Sequence, residues 1–317
     1  MAVKTIALDE EAERRKLRMK RWNQISKNWL LYLFLVPALI YLIIFDYAPL
    51  YGIQIAFKDF RGALGIWGSP WVGFKHFISF FESYQFSTLL FNTITLSLYQ
   101  LLVTIPMPLI LALLLNYTTI PWLKKIAQSS SFAPHLISVV VLCGMLATFS
   151  GSNGLFNIIR NLFGLDSFNF LGKEGLFQTI YVLSTAWQRT GYNAVIYIAA
   201  LSSVSEELHE AATVDGASKI KRVWHIDIPS ILPTMVILII MAVGNLMSVG
   251  FEKTFLLQND LNLGRSEIIS TYVYKVGIQS AQYSLATAIG IFNNIINFIL
   301  LISVNKISNK LSGSSLW

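Results

Sequence analysis

Charge is scarce in this chain. Of its 317 residues only 13% are Asp, Glu, Lys or Arg, about half of the roughly 25% found in soluble domains. Hydrophobic residues make up 54%. That composition excludes an ordinary soluble domain and points to a protein built for lipid. Cysteine is nearly missing. The single Cys143 lies inside an apolar run, which excludes an intrachain disulfide and a cysteine-cluster metal site. No Gly-x-x-x-x-Gly-Lys-Ser/Thr run occurs, so the chain has no P-loop of its own to cradle ATP phosphates. His209-Glu210-Ala211-Ala212-Thr213 starts like a zinc-protease helix but has Thr where the second His must stand. No acid pair, His cluster or Ser/Lys dyad at span depth suggests an intramembrane enzyme.

What charge there is falls unevenly. Eight of the 24 Lys and Arg lie in the first 28 residues: Lys4, Arg14, Arg15, Lys16, Arg18, Lys20, Arg21 and Lys27. A net charge of +7 gathered in one arm does not form a nucleic-acid groove. A basic segment ahead of an apolar span holds its end in the cytoplasm, near anionic lipid. The apolar run that follows, Trp29 to Phe45, exceeds the ~7–15-residue core of a signal peptide and has no small-residue cleavage site after it. It reads as an uncleaved first span.

Six stretches approach or exceed the ~20 apolar residues that cross a bilayer: 29–49, 89–115, 132–150, 177–202, 232–256 and 284–304. Pro37, Pro106, Pro108, Pro134 and Pro233 sit within or at the ends of spans, where neighbouring helices satisfy the freed carbonyls. An all-α, polytopic membrane protein with kinked, closely packed helices is expected. It divides into a basic N-terminal arm (1–28), a transmembrane domain (29–305) and a C-terminal tail (306–317). Six spans put both termini on the cytoplasmic side, together with 116–131 and 203–231. The Lys/Arg bias towards that side comes almost wholly from the N-terminal arm.

One connection differs from the rest. From Val204 to Val214 the chain reads as a short amphipathic helix, with Val204, Leu208 and Ala211/Ala212 on one face and Glu206 and Glu210 on another. Asp215-Gly216 ends it, because Gly accepts the left-handed conformation at a helix end. A second short helix carries Lys219, Lys221 and Arg222, and Pro229 and Pro233 mark the entry to the fifth span. On physical grounds alone this is either a surface element for a soluble partner or an ordinary interfacial loop.

The spacing Glu210-Ala211-Ala212, three residues, Gly216, nine residues, Ile226-Asp227-Ile228-Pro229 resembles the "EAA" loop of binding-protein-dependent ABC importer permeases of the maltose-type class. Ile228 departs from the usual Leu and keeps an apolar side chain. Leu35-Val36-Pro37, Tyr47-Ala48-Pro49-Leu50-Tyr51-Gly52, Gly250-Phe251-Glu252-Lys253, Thr271-Tyr272-Val273-Tyr274 and the closing Ser315-Leu316-Trp317 resemble the lipoprotein/polysaccharide-type subgroup. The likeness runs over about residues 30–317. It implies the type I ABC importer permease (MetI-like) fold and a non-catalytic subunit of a heteromeric complex in a bacterial cell membrane. Expected partners are a second permease, a cytoplasmic ATPase dimer, an extracellular solute-binding protein and an oligosaccharide. No cofactor belongs to this chain; ATP and Mg would bind the ATPase. The coupling residues it implies are Glu207, Glu210, Ala211, Ala212, Asp215, Gly216, Ile226 and Pro229, with Glu210 in polar contact and Gly216 permitting the turn. An importer of the same class for another solute and an ion-driven secondary transporter are the rivals.

Polar groups inside spans are costly and often line pathways. Arg189, within Trp187-Gln188-Arg189-Thr190-Gly191-Tyr192-Asn193, is either a cavity or gate residue that meets sugar hydroxyls or a uronic carboxylate, or an Arg near the outer interface, snorkelling or paired to a structural acid. Trp187 and Tyr192 either stack on sugar or anchor the interface. Asn193, Asn245, Asn293 and Asn297 are solute contacts or packing amides; Tyr99 and Gln100 are weaker candidates. Glu252 and Lys253, with 257–283, are expected outside the membrane, either as a docking surface for a binding protein or as a solvated loop.

Overall fold

The computed structural model describes residues 19–20, 27–313 and 315–316. Most of the predicted basic arm, and Trp317, lie outside the described residues. Among the described residues the chain is mainly helical, without strands; an isolated bridge joins Lys58 to Trp71.

Helix α1 (Trp29–Leu42) runs on through a π-turn at Ile43–Tyr47 and a short helix at Ala48–Leu50 into a 3-10 segment, Tyr51–Phe57. Nothing between Trp29 and Leu50 is buried. After α2 (Lys75–Phe81) come α3 (Phe86–Thr104) and α4 (Pro106–Asn116). The pair forms one 31-residue apolar rod, Phe86–Asn116, jointed at Ile105 because Pro106 lacks the N–H that would continue α3. Next are α5 (Pro121–Phe132), α6 (Val139–Ser150) and α7 (Glu174–Leu201). The EAA-like stretch forms α8 (Glu206–Val214) and α9 (Lys219–Arg222), followed by α10 (Ile228–Gly244), α11 (Phe251–Leu257), α12 (Ile269–Tyr274) and α13 (Tyr283–Ser312).

Helix α7 is the central post. It packs on α3, α4, α5 and α10 and buries Phe177, Tyr181, Val182, Ala186, Ala194, Tyr197 and Leu201. Gly191 makes this packing possible: a Cβ there would lie 2.0 Å from the Ser131 carbonyl oxygen of α5. Three apolar clusters result. One joins Leu96, Leu142, Phe177, Tyr181 and Leu257; one joins Phe80, Leu89, Met247, Ile269 and Ile289; the third joins Ala112, Ala194, Tyr197, Leu201 and Ile231.

Two predicted spans are broken. The stretch 132–150 begins in a 3-10 turn at Ala133–Leu136, and its helix starts only at Val139, with Ser138 accepting a hydrogen bond from the Val141 N–H at 3.3 Å. The stretch 232–256 ends its helix at Gly244 and resumes at Phe251. Asn297 of α13 holds that break open: its Oδ1 accepts from the Met247 N–H at 2.9 Å and its Nδ2 donates to Ser248 Oγ at 2.9 Å. Five helical stretches among the described residues are long and apolar enough to cross a membrane. Helix α7, the fourth predicted span, has the length at 28 residues but is more polar. The last helix passes residue 305 and reaches Ser312, taking up much of the predicted tail.

Candidate functional site

Helix α8 carries Glu206 and Glu207 in its first turn, where acids oppose the positive end of the helix dipole. It ends as the sequence requires. Gly216 has φ +74°, the Gly216 N–H donates to the Thr213 carbonyl at 3.1 Å and the Ala217 N–H to that of Ala212 at 2.8 Å. That is a Schellman closure, satisfying two carbonyls that a helix end otherwise leaves bare. Ser218 then caps α9, its hydroxyl accepting from the Lys221 N–H at 3.4 Å.

The second arm does not stop before the fifth span. Helix α9 passes through a π-turn, Val223–Asp227, straight into α10, giving 26 unbroken helical residues from Lys219 to Gly244. Proline suits this junction: Pro229 sits in the first turn of α10, and the extra residue of the π-turn re-routes the ladder as the Ile228 N–H bonds the Val223 carbonyl. Motion of the hairpin is therefore motion of a membrane-length helix.

Asp227 fastens this hairpin from inside. It is completely buried and accepts a 2.6 Å hydrogen bond from the Tyr117 hydroxyl at the end of α4. Its other oxygen lies 3.2 Å from His209 Nε2 on α8, an ion pair when His209 is protonated but not aligned as a hydrogen bond. Arg222 stacks its guanidinium 5.7 Å from the Tyr117 ring centroid and donates to Thr213 Oγ1 at 2.9 Å. Burial, then the bond to Asp227 and that residue's charge, push the Tyr117 hydroxyl above its usual range, so it stays protonated and remains a donor. Sequence reasoning missed Tyr117, His209, Arg222 and Asp227 as a set, because Tyr117 stands 110 residues from Asp227.

Of the expected coupling residues, Glu207, Glu210, Ala211, Asp215, Gly216 and Pro229 are exposed. Ala212 and Ile226 line a groove of about 380 Å³ with Ala217, Lys221, Arg222 and His225. Around it Leu208, Val214, Ile220 and Trp224 present apolar side chains outward, Val214 at 88% exposure.

The pathway candidates scatter. Arg189 lines a cavity of about 120 Å³ with Gln100, one of the weaker candidates, and with Tyr181, Thr185, Gln188, Glu252 and Lys253; Trp187, Tyr192, Asn193, Asn245, Asn293 and Asn297 do not. Trp187 faces a separate, mainly apolar cleft beside Met107, Leu114 and Thr190. Tyr192 stacks on His135 at 4.0 Å. Asn193 is half-buried. Asn245 caps α10 and turns back to the Met241 carbonyl at 3.0 Å. Asn297 spends both ends of its amide on the 245–250 break, which favours packing over solute contact. The buried Asn293 Oδ1 has no partner. Lys253, expected on an outer docking surface, is buried against α7, its ammonium donating to the Tyr181 carbonyl, Ser184 Oγ and Thr185 Oγ1 at 3.0, 2.8 and 2.7 Å. No group of three or more His, Cys, Asp or Glu suited to a metal ion occurs among the described residues.

Residues 86–313 match the model of the binding-protein-dependent transport system inner membrane components. The chain is 38% identical over 307 residues to the polygalacturonan/rhamnogalacturonan transport system permease protein YteP of Bacillus subtilis, covering 96% of this chain and 95% of that one. It is 30% identical over 299 residues to the arabinooligosaccharides transport system permease protein AraP of the same organism, covering 92% of each. Among solved structures it is similar to a chain of a bacterial alginate ABC transporter crystallised with an alginate pentasaccharide-bound periplasmic protein. That likeness has a TM-score of 0.87 and 36% identity, and covers 93% of this chain and 99% of the other.

Proposed function

This chain belongs to the binding-protein-dependent transport system inner membrane components, and on that premise we propose that it is the permease subunit of an ATP-driven importer of oligosaccharides. The family places it in the membrane as a transport component. The sugar class follows from relatives similar over nearly their whole length, named for polygalacturonan/rhamnogalacturonan, arabinooligosaccharides and alginate.

The observation that carries the coupling mechanism is the α8–α9 hairpin. Its inner side is latched by Asp227 to the end of α4, and its outer side offers Leu208, Val214, Ile220 and Trp224 around the groove of Ala212 and Ile226. Apolar side chains held outward on a polar hairpin fit a protein partner. That partner is a cytoplasmic ATPase, which binds ATP and Mg; this chain contributes no catalytic group. Closure of the ATPase shifts the hairpin, and the unbroken helix Lys219–Gly244 carries the shift into the membrane. Both termini and the hairpin then lie on the cytoplasmic side. A second permease completes the pathway, and an extracellular binding protein delivers solute. The wholly exposed α1 leaves an apolar surface for lipid and the second permease to cover.

Glu210→Ala and Gly216→Pro test this. Proline holds φ near −65°, which the +74° position cannot accept. Both variants are expected in the membrane at wild-type level, with the ATPase lost on co-purification or uptake reduced at least about tenfold. Normal co-purification and uptake in both would refute the coupling role.

A further inference from the structure

Arg189 lines its cavity from the middle of α7, about 22 Å from the Glu174 end at 1.5 Å per residue, and its side chain is exposed. Its guanidinium has no hydrogen bond or ion pair among the described residues. Lys253, 6% exposed, lines the same cavity. Its three N–H groups are spent on the Tyr181 carbonyl, Ser184 and Thr185, so the amine is fixed in place with no acid among its hydrogen-bond partners. Its ammonium also sits 4.8 Å from the Tyr181 ring centroid. Glu252 is the one carboxylate in the lining. Arg189 and Lys253 are the basic groups of the lining, against that one acid. Gln100 adds an amide whose Oε1 is buried and unbonded.

Intramembrane cations normally pair with an acid or with backbone carbonyls. Arg189 does neither among the described residues. A planar fork with five donors matches a carboxylate in two parallel bonds. The space of about 120 Å³ exceeds the ~30 Å³ share of one water and admits a carboxylate with the edge of its ring.

We propose that this cavity is a carboxylate subsite on the solute pathway, with Arg189 as the direct contact and Lys253 as the positioned amine behind it, so that the imported oligosaccharides are acidic, built from uronic acid units. The inference rests on the importer reading above and selects within it, since the substrates named for the relatives include both acidic and neutral sugars. Lys253 acts in its protonated form, through the field it adds beside Arg189.

The test uses the complete transporter in proteoliposomes with its binding protein at saturation. Uptake of α-1,4-trigalacturonate is compared with that of its methyl ester, which keeps the backbone and loses the charge. Because the binding protein is common to all measurements, a change in the acid-to-ester ratio between variants belongs to the permease. Arg189→Gln is expected to lower that ratio about tenfold or more, the scale of one charge-assisted hydrogen bond. Arg189→Lys should keep most of it, and Lys253→Met should lower it by a smaller factor. An unchanged ratio in Arg189→Gln, or equal loss of both sugars with no rescue by Arg189→Lys, overturns the subsite. If neutral oligosaccharides drive ATP-dependent uptake with an unchanged ratio in the variants, the importer reading stands and the subsite falls. If no oligosaccharide of either kind is moved or stimulates ATP hydrolysis, both fall.

Discussion

Two glycines separate packing from permissiveness. At Gly191 an added Cβ would meet the Ser131 carbonyl oxygen at 2.0 Å and the Phe132 nitrogen at 2.6 Å. Both belong to the backbone of α5 and cannot rotate away, so α7 and α5 must separate. At Gly290, within α13, nothing lies within 4 Å, and a Cβ restores about 1 kcal/mol of helix propensity. Gly191→Ala should lower the apparent melting temperature of the purified complex by several degrees, while Gly290→Ala leaves it level or higher. Equal behaviour of the two variants would contradict the close α7–α5 approach. Both glycines are plain in the sequence, but the backbone that meets Gly191 comes from 60 residues earlier. No local pattern tells the two apart.

Among elements, the joint between α4 and the hairpin bears most on function. Tyr117→Phe removes the 2.6 Å bond to Asp227 and leaves a fully buried carboxylate short of a donor, at a cost of about 1–3 kcal/mol. The hairpin then shifts against α4, and less of its movement reaches the membrane. The measurable outcome is a lower apparent melting temperature together with severalfold fewer solutes moved per ATP. A variant with both quantities unchanged would show that Tyr117 is no part of the coupling.

The hairpin itself was legible in the sequence. Acids at the start, Gly216 at the end and prolines beyond it each have a local physical meaning, and the Schellman closure follows from them. The broken fifth span was not legible. Leu246, Met247 and Val249 keep the stretch apolar past the helix end, and the hydrogen bonds that stabilise the break come from Asn297, some fifty residues away. Lys253 misled for a related reason. A Lys beside a polar loop reads as exposed, whereas its buried acceptors sit on a helix about seventy residues earlier. Arg189 was identified because an Arg at mid-span needs no partner information to be noticed.

At the scale of the whole molecule, the chain holds together around α7 and leaves two surfaces uncovered. One is the apolar length of α1, suited to lipid or another membrane chain. The other is the hairpin rim of Leu208, Val214, Ile220 and Trp224, suited to a soluble protein. Energy would enter at the second surface and act at a distance from it, near Arg189 at the middle of α7. The near absence of cysteine makes the entry point directly measurable. With Cys143→Ser as background, Val214→Cys places one thiol on the rim at a site 88% exposed in the native chain. In inverted vesicles carrying the complete transporter, that thiol should form a bismaleimide adduct with a cysteine placed in the ATPase cleft, with a yield that changes when ATP is added. A fully transporting complex in which neither Val214→Cys nor Trp224→Cys yields an adduct with the ATPase would contradict the account.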